Sequence, residues 1–134
     1  FEESAGVQVM RVITGKVLSV FGKSRDKGAR SLQISTTTAT IGIRGTGCYI
    51  EAEEARTYFC LCYGEAEVVP KGDPKQKETI QTRHHEHPIY IGAAGSKMMA
   101  PAAVINHTDA ELILLENSVG RWPPFYDGQG GSRY

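Results

Sequence analysis

The sequence lacks an excess of charge of either sign. Its 15 lysine and arginine residues are balanced by 15 aspartate and glutamate residues, so the formal net charge is zero. Proteins that bind nucleic acids generally carry surplus positive charge, because they displace the counterions that surround phosphate groups. The balanced charge therefore argues against a nucleic-acid partner.

Long hydrophobic runs and common catalytic motifs are also missing. No apolar run approaches the roughly 18–20 residues that cross a bilayer as a helix. The sequence contains no Gly-x-Gly-x-x-Gly motif, no phosphate loop and no Ser/His/Asp order typical of a hydrolase. A protein that is not an enzyme is therefore expected, and a thiol-dependent redox protein or a Cys/His enzyme is the alternative.

Cysteine is scarce, with Cys48, Cys60 and Cys62 as the three residues of this type. An odd number of cysteines cannot all pair within one chain. On an extended strand the Cα atoms of Cys60 and Cys62 lie about 6.6–6.8 Å apart, at the upper limit for a disulfide. A bridge between these two is disfavoured, so free thiols or thiolate ligands are expected.

Glycine, in contrast, is abundant at 15 residues, and short β-rich segments predict strands between residues 7 and 69. Ile41–Gly47 contains three glycines and predicts a bulge, a tight bend or a close backbone approach. Two strands joined at Glu53–Arg56 are expected to form a hairpin, and Gly64 is expected to form a turn before one more strand. The prediction is a single domain over residues 1–134 with a mainly β fold, either a β-roll or a β-sandwich.

The C-terminal extension, residues 78–125, contains the one predicted helix. Thr108–Glu111 has the pattern of a capping box, in which the first and last side chains each bond the other residue's backbone amide. Three apolar residues then fall on one helical face: Leu112, Leu115 and Val119. We expect a helix over residues 109–119 that packs on the β core, followed by a flexible tail over residues 126–134.

Four stretches carry a family resemblance: Val12–Val17 (VITGKV), Leu32–Thr36 (LQIST), Thr38–Thr46 (TATIGIRGT) and Cys62–Val68 (CYGEAEV). Together they resemble the FecR-type domain, a family named after the periplasmic sensor of ferric-citrate uptake. The most specific element is Ile43-Arg44-Gly45-Thr46, and the resemblance extends over about residues 7–69.

This resemblance implies an all-β roll or sandwich that is exported to the periplasm and acts by binding a protein partner or a small ligand. A membrane tether upstream of residue 1 and a homo-oligomer are compatible expectations. The sequence departs from the family pattern at Thr37, where the family usually has proline. The family also has no fixed cysteines, so the resemblance does not explain the three found here.

The cysteines and a histidine cluster suggest a metal site. Cys60 and Cys62 share one face of a strand, with Phe59, Leu61 and Tyr63 expected on the other face. Two thiolates and two imidazoles make a closed tetrahedral zinc site, whereas thiolates alone favour Cu(I). Zinc or Cu(I) is therefore the expected ion, and a haem is the weaker alternative. The predicted ligands are Cys60, Cys62, His84, His85 and His87.

Structural interpretations compete with this hypothesis. A free cysteine often behaves as a small buried hydrophobic residue, and the histidine cluster is also compatible with a solvated loop. No spacing in the sequence matches a defined zinc motif. His107, directly before the capping box, is interpreted as part of the helix N-terminus, with an additional metal ligand as the alternative.

Overall fold

Two long antiparallel strands organise the fold. They are β5, Ala39–Ala52, and β6, Arg56–Pro70, and they form the predicted hairpin, whose connection is closed by the Glu53 amide donating to the Arg56 carbonyl. The computed structural model describes residues 2–4, 7–22, 31–92 and 99–126. Apart from Tyr126, the predicted flexible tail lies outside these ranges.

Shorter strands lie along both outer edges of this hairpin. On β5, strands β3 (Gly15–Val20) and β4 (Ser31–Ser35) follow one another end to end. On β6, strands β7 (Glu78–Thr82) and β8 (Ile89–Gly92) are arranged in the same way. All four pair antiparallel with the long strands, so the hairpin holds both halves of the sheet together.

The sheet is completed at its two ends. Strand β2 (Val7–Arg11) pairs parallel to β4, and β1 (Glu2–Ser4) pairs with β2. Strand β9 (Met99–Pro101) pairs with β8, and a 3₁₀ turn at Pro74–Gln76 precedes β7. The nine strands of the described residues form one sheet that does not close into a barrel. In this part of the chain no helix is long and apolar enough to cross a membrane.

The centre of the hairpin contains the predicted irregularity. The register shifts twice between Arg44 and Cys48. Arg44 pairs with Glu65 and Gly47 with Tyr63, so residues 45 and 46 of β5 together lie opposite Gly64. Cys48 then pairs with Leu61. The extra residue on β5 confirms the bulge predicted from the glycine-rich stretch, and Cys62 is a second extra residue, on β6.

The turn expected at Gly64 is wrong, since β6 continues through this residue to Pro70. Gly64 instead has a φ of +101°, and a Cβ atom there would lie 2.4 Å from the carbonyl oxygen of Gly45. The glycine is required by a close approach of two strands within the bulge, and it does not reverse the chain.

Buried side chains form two clusters on opposite faces of the hairpin. Phe59 and Leu61 belong to the larger, aliphatic cluster, which also contains Cys48. The second cluster consists of aromatic and cysteine side chains together with one leucine: Tyr49, Tyr58, Cys60, Cys62, Tyr63 and Leu112. Tyr63 was expected opposite the two cysteines, which is wrong because the bulge turns Cys62 and Tyr63 to the same side.

The helix, α1, spans Asp109–Ser118 and begins with the predicted capping box, in which both reciprocal hydrogen bonds are present. Leu112 is fully buried in the second cluster, and Leu115 is half-buried. Val119 is 56% exposed, so the predicted apolar face is shorter than expected. The reason is that the helix ends at Ser118 and Val119 no longer has helical backbone angles. The predicted class, mainly β with one short C-terminal α-helix, is confirmed.

Replacement of Gly64 tests the importance of the bulge. Gly64→Ala should lower the free energy of unfolding by about 1–3 kcal/mol, because alanine is strained at positive φ and its Cβ meets the Gly45 carbonyl. Gly42→Ala is the matched control on β5, since a Cβ there meets nothing within 4 Å. It should change stability by less than about 1 kcal/mol. Denaturant unfolding measures both, and equal losses would contradict this account of the bulge.

Candidate metal centre

The first two side chains of the site come from β6. Cys60 and Cys62 are completely buried, and their Sγ atoms are 4.0 Å apart. Both belong to the aromatic cluster on one face of the hairpin, as alternation along the strand predicts. The thiols therefore lie side by side in a region from which water is excluded.

The third side chain, His85, comes from the loop that joins β7 to β8. The hydroxyl oxygen of Thr82 accepts hydrogen bonds from the amides of His84 and Glu86, which makes the loop turn tightly. The His85 amide donates to the carbonyl of Cys62 at 2.9 Å, and this bond fastens the loop to β6. The Nδ1 atom of His85 is consequently 3.3 Å from Cys60 Sγ.

The fourth side chain, His107, precedes helix α1. Its Nε2 atom lies 3.3 Å from Cys62 Sγ and 3.2 Å from His85 Nδ1. Its Nδ1 atom is 2.6 Å from the carbonyl oxygen of Ile105, to which it can only donate, so Nε2 is left with its lone pair. The ring stacks on Tyr49 at 4.5 Å between centroids, and this contact fixes its plane.

The four ligand atoms of Cys60, Cys62, His85 and His107 all lie within 4.8 Å of one another. In a tetrahedron with bonds of about 2.3 Å to sulfur and 2.0–2.1 Å to nitrogen, ligand atoms lie about 3.3–3.8 Å apart. The separations between neighbouring atoms of the site, 3.2 to 4.0 Å, are close to these values. The four side chains therefore converge closely enough to form a candidate Cys₂His₂ site for one ion.

Asp109, the first residue of helix α1, forms a second layer behind this set. One carboxylate oxygen is 2.9 Å from His85 Nε2, and the other is 2.6 Å from His84 Nε2. When His85 Nε2 carries a proton and donates to Asp109, its Nδ1 lone pair is directed toward the cysteines. Histidines that bind metals generally have such a partner on the other ring nitrogen.

The two thiols differ in their acidity. The hydrogen bond that Cys62 donates, together with the adjacent imidazoles of His107 and His85, holds the pKa of Cys60 well below its ordinary value despite burial. Burial and the adjacent Cys60 raise the pKa of Cys62. The site therefore favours one thiolate, at Cys60, before any metal enters. In contrast, burial and the nearby Cys60 raise the pKa of Cys48 to about 12, so this thiol stays protonated.

Backbone strain is concentrated at the same place. Among the described residues, His85 and Asn106 are the two non-glycine residues with positive φ, at 53° and 58°. His85 is a candidate ligand, and Asn106 directly precedes the candidate ligand His107. Such conformations cost on the order of 1–3 kcal/mol and are commonly found at functional sites.

The structure brings together only part of the ligand set that was predicted from the sequence. Cys60, Cys62 and His85 converge. His84 contacts Asp109 instead of the sulfur atoms, and exposed His87 lines an open groove beside β7 and β9. The physical reason is that the His84–His87 segment is a tight loop and not an extended strand, so only one of its three imidazoles faces β6.

His107 completes the set, although its position before the capping box pointed first to a role at the helix N-terminus. That segment does begin the helix, but Thr108 provides the cap and leaves the His107 ring free to enter the site. One signal was present in the sequence. Asn106 is a residue type that tolerates positive φ, which allows the chain to turn His107 inward just before the helix.

Comparison with known proteins bears on the fold. No protein-family model and no curated protein matches the sequence. Two crystal structures of candidate anti-sigma factors from Parabacteroides distasonis ATCC 8503 are similar, each with a TM-score of 0.54. They are 15% and 13% identical in sequence over 84% and 90% of this chain.

This chain spans 56% and 58% of the length of those two structures. At such low identity the likeness establishes a shared mainly β fold. Membership of the FecR-type family stays a prediction from the sequence motifs.

Proposed function

We propose that this chain is a non-enzymatic regulatory domain that binds one Zn²⁺ through Cys60, Cys62, His85 and His107. The observation that carries the proposal is the convergence of two sulfur and two nitrogen atoms within 4.8 Å of one another. These atoms come from three separate segments of the chain, and each imidazole has a hydrogen-bond partner on its other ring nitrogen. A second layer of this kind is typical of metal sites.

The donor set favours zinc over the other candidate groups. Two sulfur and two nitrogen ligands in a tetrahedron suit Zn²⁺, whereas Cu(I) is selected by softer, sulfur-rich sets. A haem iron takes its protein ligands along one axis, on either side of a flat macrocycle. Four donors within 4.8 Å of one another leave no room for such a group between them.

The same arrangement supports a role other than catalysis. Catalytic zinc sites generally have three protein ligands and an open position for water, while four protein ligands close the coordination shell. Cys60 beside His85 also resembles the dyad of a thiol enzyme. However, Cys60 and Cys62 are both 0% exposed, so a substrate does not reach either thiol in this conformation.

The regulatory part of the proposal is supported by the fold shared with candidate anti-sigma factors and by the FecR-type motifs. We propose a protein as the partner and the periplasm as the compartment. An exported protein with unpaired cysteines must protect them from oxidation, because that compartment favours disulfides. Burial and a bound ion provide such protection. An upstream membrane tether and a homo-oligomer stay predictions.

Metal content tests the proposal directly. Protein purified without a histidine tag should contain about one zinc per chain, and a Cys60→Ser/Cys62→Ser double variant should contain none. Zinc at 100 times its dissociation constant should stabilise the wild type by about 2.7 kcal/mol and should not stabilise the double variant. Cys48→Ser, which alters a cysteine on the opposite face, is the control and should bind zinc normally. Equal zinc binding by all three proteins would refute the site.

Two histidine variants distinguish the structural ligand set from the set predicted from the sequence. His107→Ala should weaken zinc binding strongly, because it removes one of four ligands. His87→Ala should leave the affinity unchanged, because His87 is exposed and outside the site. Competition with a chromophoric chelator measures both affinities. The opposite order would show that the loop rearranges to bind metal.

Substitution with Co²⁺ tests whether the site is closed. The cobalt protein should have the intense visible absorption of a tetrahedral ion with thiolate ligands, and addition of azide should leave the spectrum unchanged. A closed shell of four protein ligands has no position for an exogenous anion. A spectral change on addition of azide would indicate an open position and would favour the enzyme alternative.

A further inference from the structure

Asp109 is a buried carboxylate in an unusual position. It is 0% exposed, it is the first residue of helix α1, and its two oxygens contact His85 and His84 on different sides. A buried carboxylate is unfavourable unless hydrogen bonds or charges offset the cost of removing it from water. The positive end of the helix dipole supplies part of the compensation.

The geometry of the carboxylate determines which nitrogen of His85 is available. His85 Nε2 is 2.9 Å from Asp109, and His85 Nδ1 is 3.3 Å from Cys60 Sγ. With the proton held at Nε2 by Asp109, Nδ1 is the only ring atom that can act as a ligand. The second oxygen of Asp109 contacts His84, so the carboxylate cannot rotate without loss of that bond.

Resting on the proposed zinc function, we propose that Asp109 is a positioning residue for the metal and makes helix α1 part of the metal site. Asp109 does not touch the ion. It acts by orienting His85. Asp109 is the first residue of helix α1, and His107 lies directly before the N-cap of the same helix.

The connection to the helix follows from the positions of these residues. His107 and Asp109 lie on either side of Thr108, the N-cap of α1. One supplies a ligand, and the other orients a second ligand that belongs to a different segment. Further along the helix, Leu112 packs in the same cluster as Cys60 and Cys62. The metal therefore joins the start of helix α1 to the centre of β6.

Thermodynamic linkage makes this coupling reciprocal. If zinc favours the docked helix by some factor, the docked helix raises zinc affinity by the same factor. Loss of zinc should consequently loosen α1 before the rest of the fold, and zinc occupancy would control whether this helix is docked.

The first experiment compares zinc affinity in two buried-carboxylate variants. Asp109→Asn keeps the size of the side chain. The wild-type carboxylate accepts from two imidazoles with two oxygens, whereas the amide has a single acceptor oxygen. Removal of such a partner typically weakens metal binding by 10–100-fold, and this loss is the expected result. Glu116→Gln is the matched control on the same helix, because Glu116 is also buried but bonds Arg121. It should leave zinc affinity unchanged even if it lowers the melting temperature.

The second experiment measures amide hydrogen exchange over residues 109–118. Zinc should slow exchange in helix α1 of the wild type and of Glu116→Gln, and it should slow exchange less in Asp109→Asn. The Co²⁺ spectrum of Asp109→Asn should also shift, since the orientation of His85 is no longer held. A purely structural role of Asp109 would alter stability without altering the spectrum.

The outcomes separate the two proposals. If the wild type binds no zinc, the proposed function fails. If the wild type binds zinc and Asp109→Asn binds it equally well, the positioning role is refuted while the metal site stands. If zinc leaves exchange in helix α1 unchanged, the coupling of the helix to the metal is refuted.

Discussion

The pairing of β5 with β6, interrupted by a bulge at its centre, is the constraint on which the rest of the structure depends. Each long strand pairs with two shorter strands along its outer edge, so the hairpin holds both halves of the sheet in position. Cys62 is an extra residue at the bulge, and Tyr63 lies with Cys60 and Cys62 in the aromatic cluster. The Sγ atoms of Cys60 and Cys62 lie 4.0 Å apart on this face.

The site is assembled on this rigid centre from less regular parts. The His85 loop and the turn before helix α1 both contain a residue with positive φ, and both direct an imidazole inward. Strain of this kind persists when the surrounding contacts specify one conformation. Here those contacts are the hydrogen bonds of Thr82, the stacking of His107 on Tyr49, and the carboxylate of Asp109.

The fold of this protein is shared with other proteins, whereas the cysteines of its candidate site are not part of the sequence pattern that it resembles. The mainly β fold is shared with proteins of low sequence identity, and a fold alone does not specify a function. The cysteines are not a feature of the FecR-type pattern that the sequence resembles. The Cys/His set is thus a local addition to a general scaffold. Under the proposed function, this set adds zinc binding to the scaffold.

Local chemistry in the sequence determined much of the fold. The strand segments, the hairpin, the glycine-rich bulge and the capping box at Thr108 all follow from residue pattern and backbone preference, and each is found in the structure. The shared face of Cys60 and Cys62 follows from the period of a strand. These features involve residues within a few positions of one another, so the pattern alone was sufficient to predict them.

Only the tertiary structure decided which histidines meet the cysteines. His85 and His107 lie 25 and 45 positions from their cysteine partners, and no local pattern specifies such distances. The sequence suggested three neighbouring imidazoles, but a tight loop held by Thr82 turns one of them inward and leaves His87 outside. His107 enters the site because helix α1 packs on the body of the protein, with Leu112 in the same buried cluster as the two cysteines, and this packing exists only after the chain has folded.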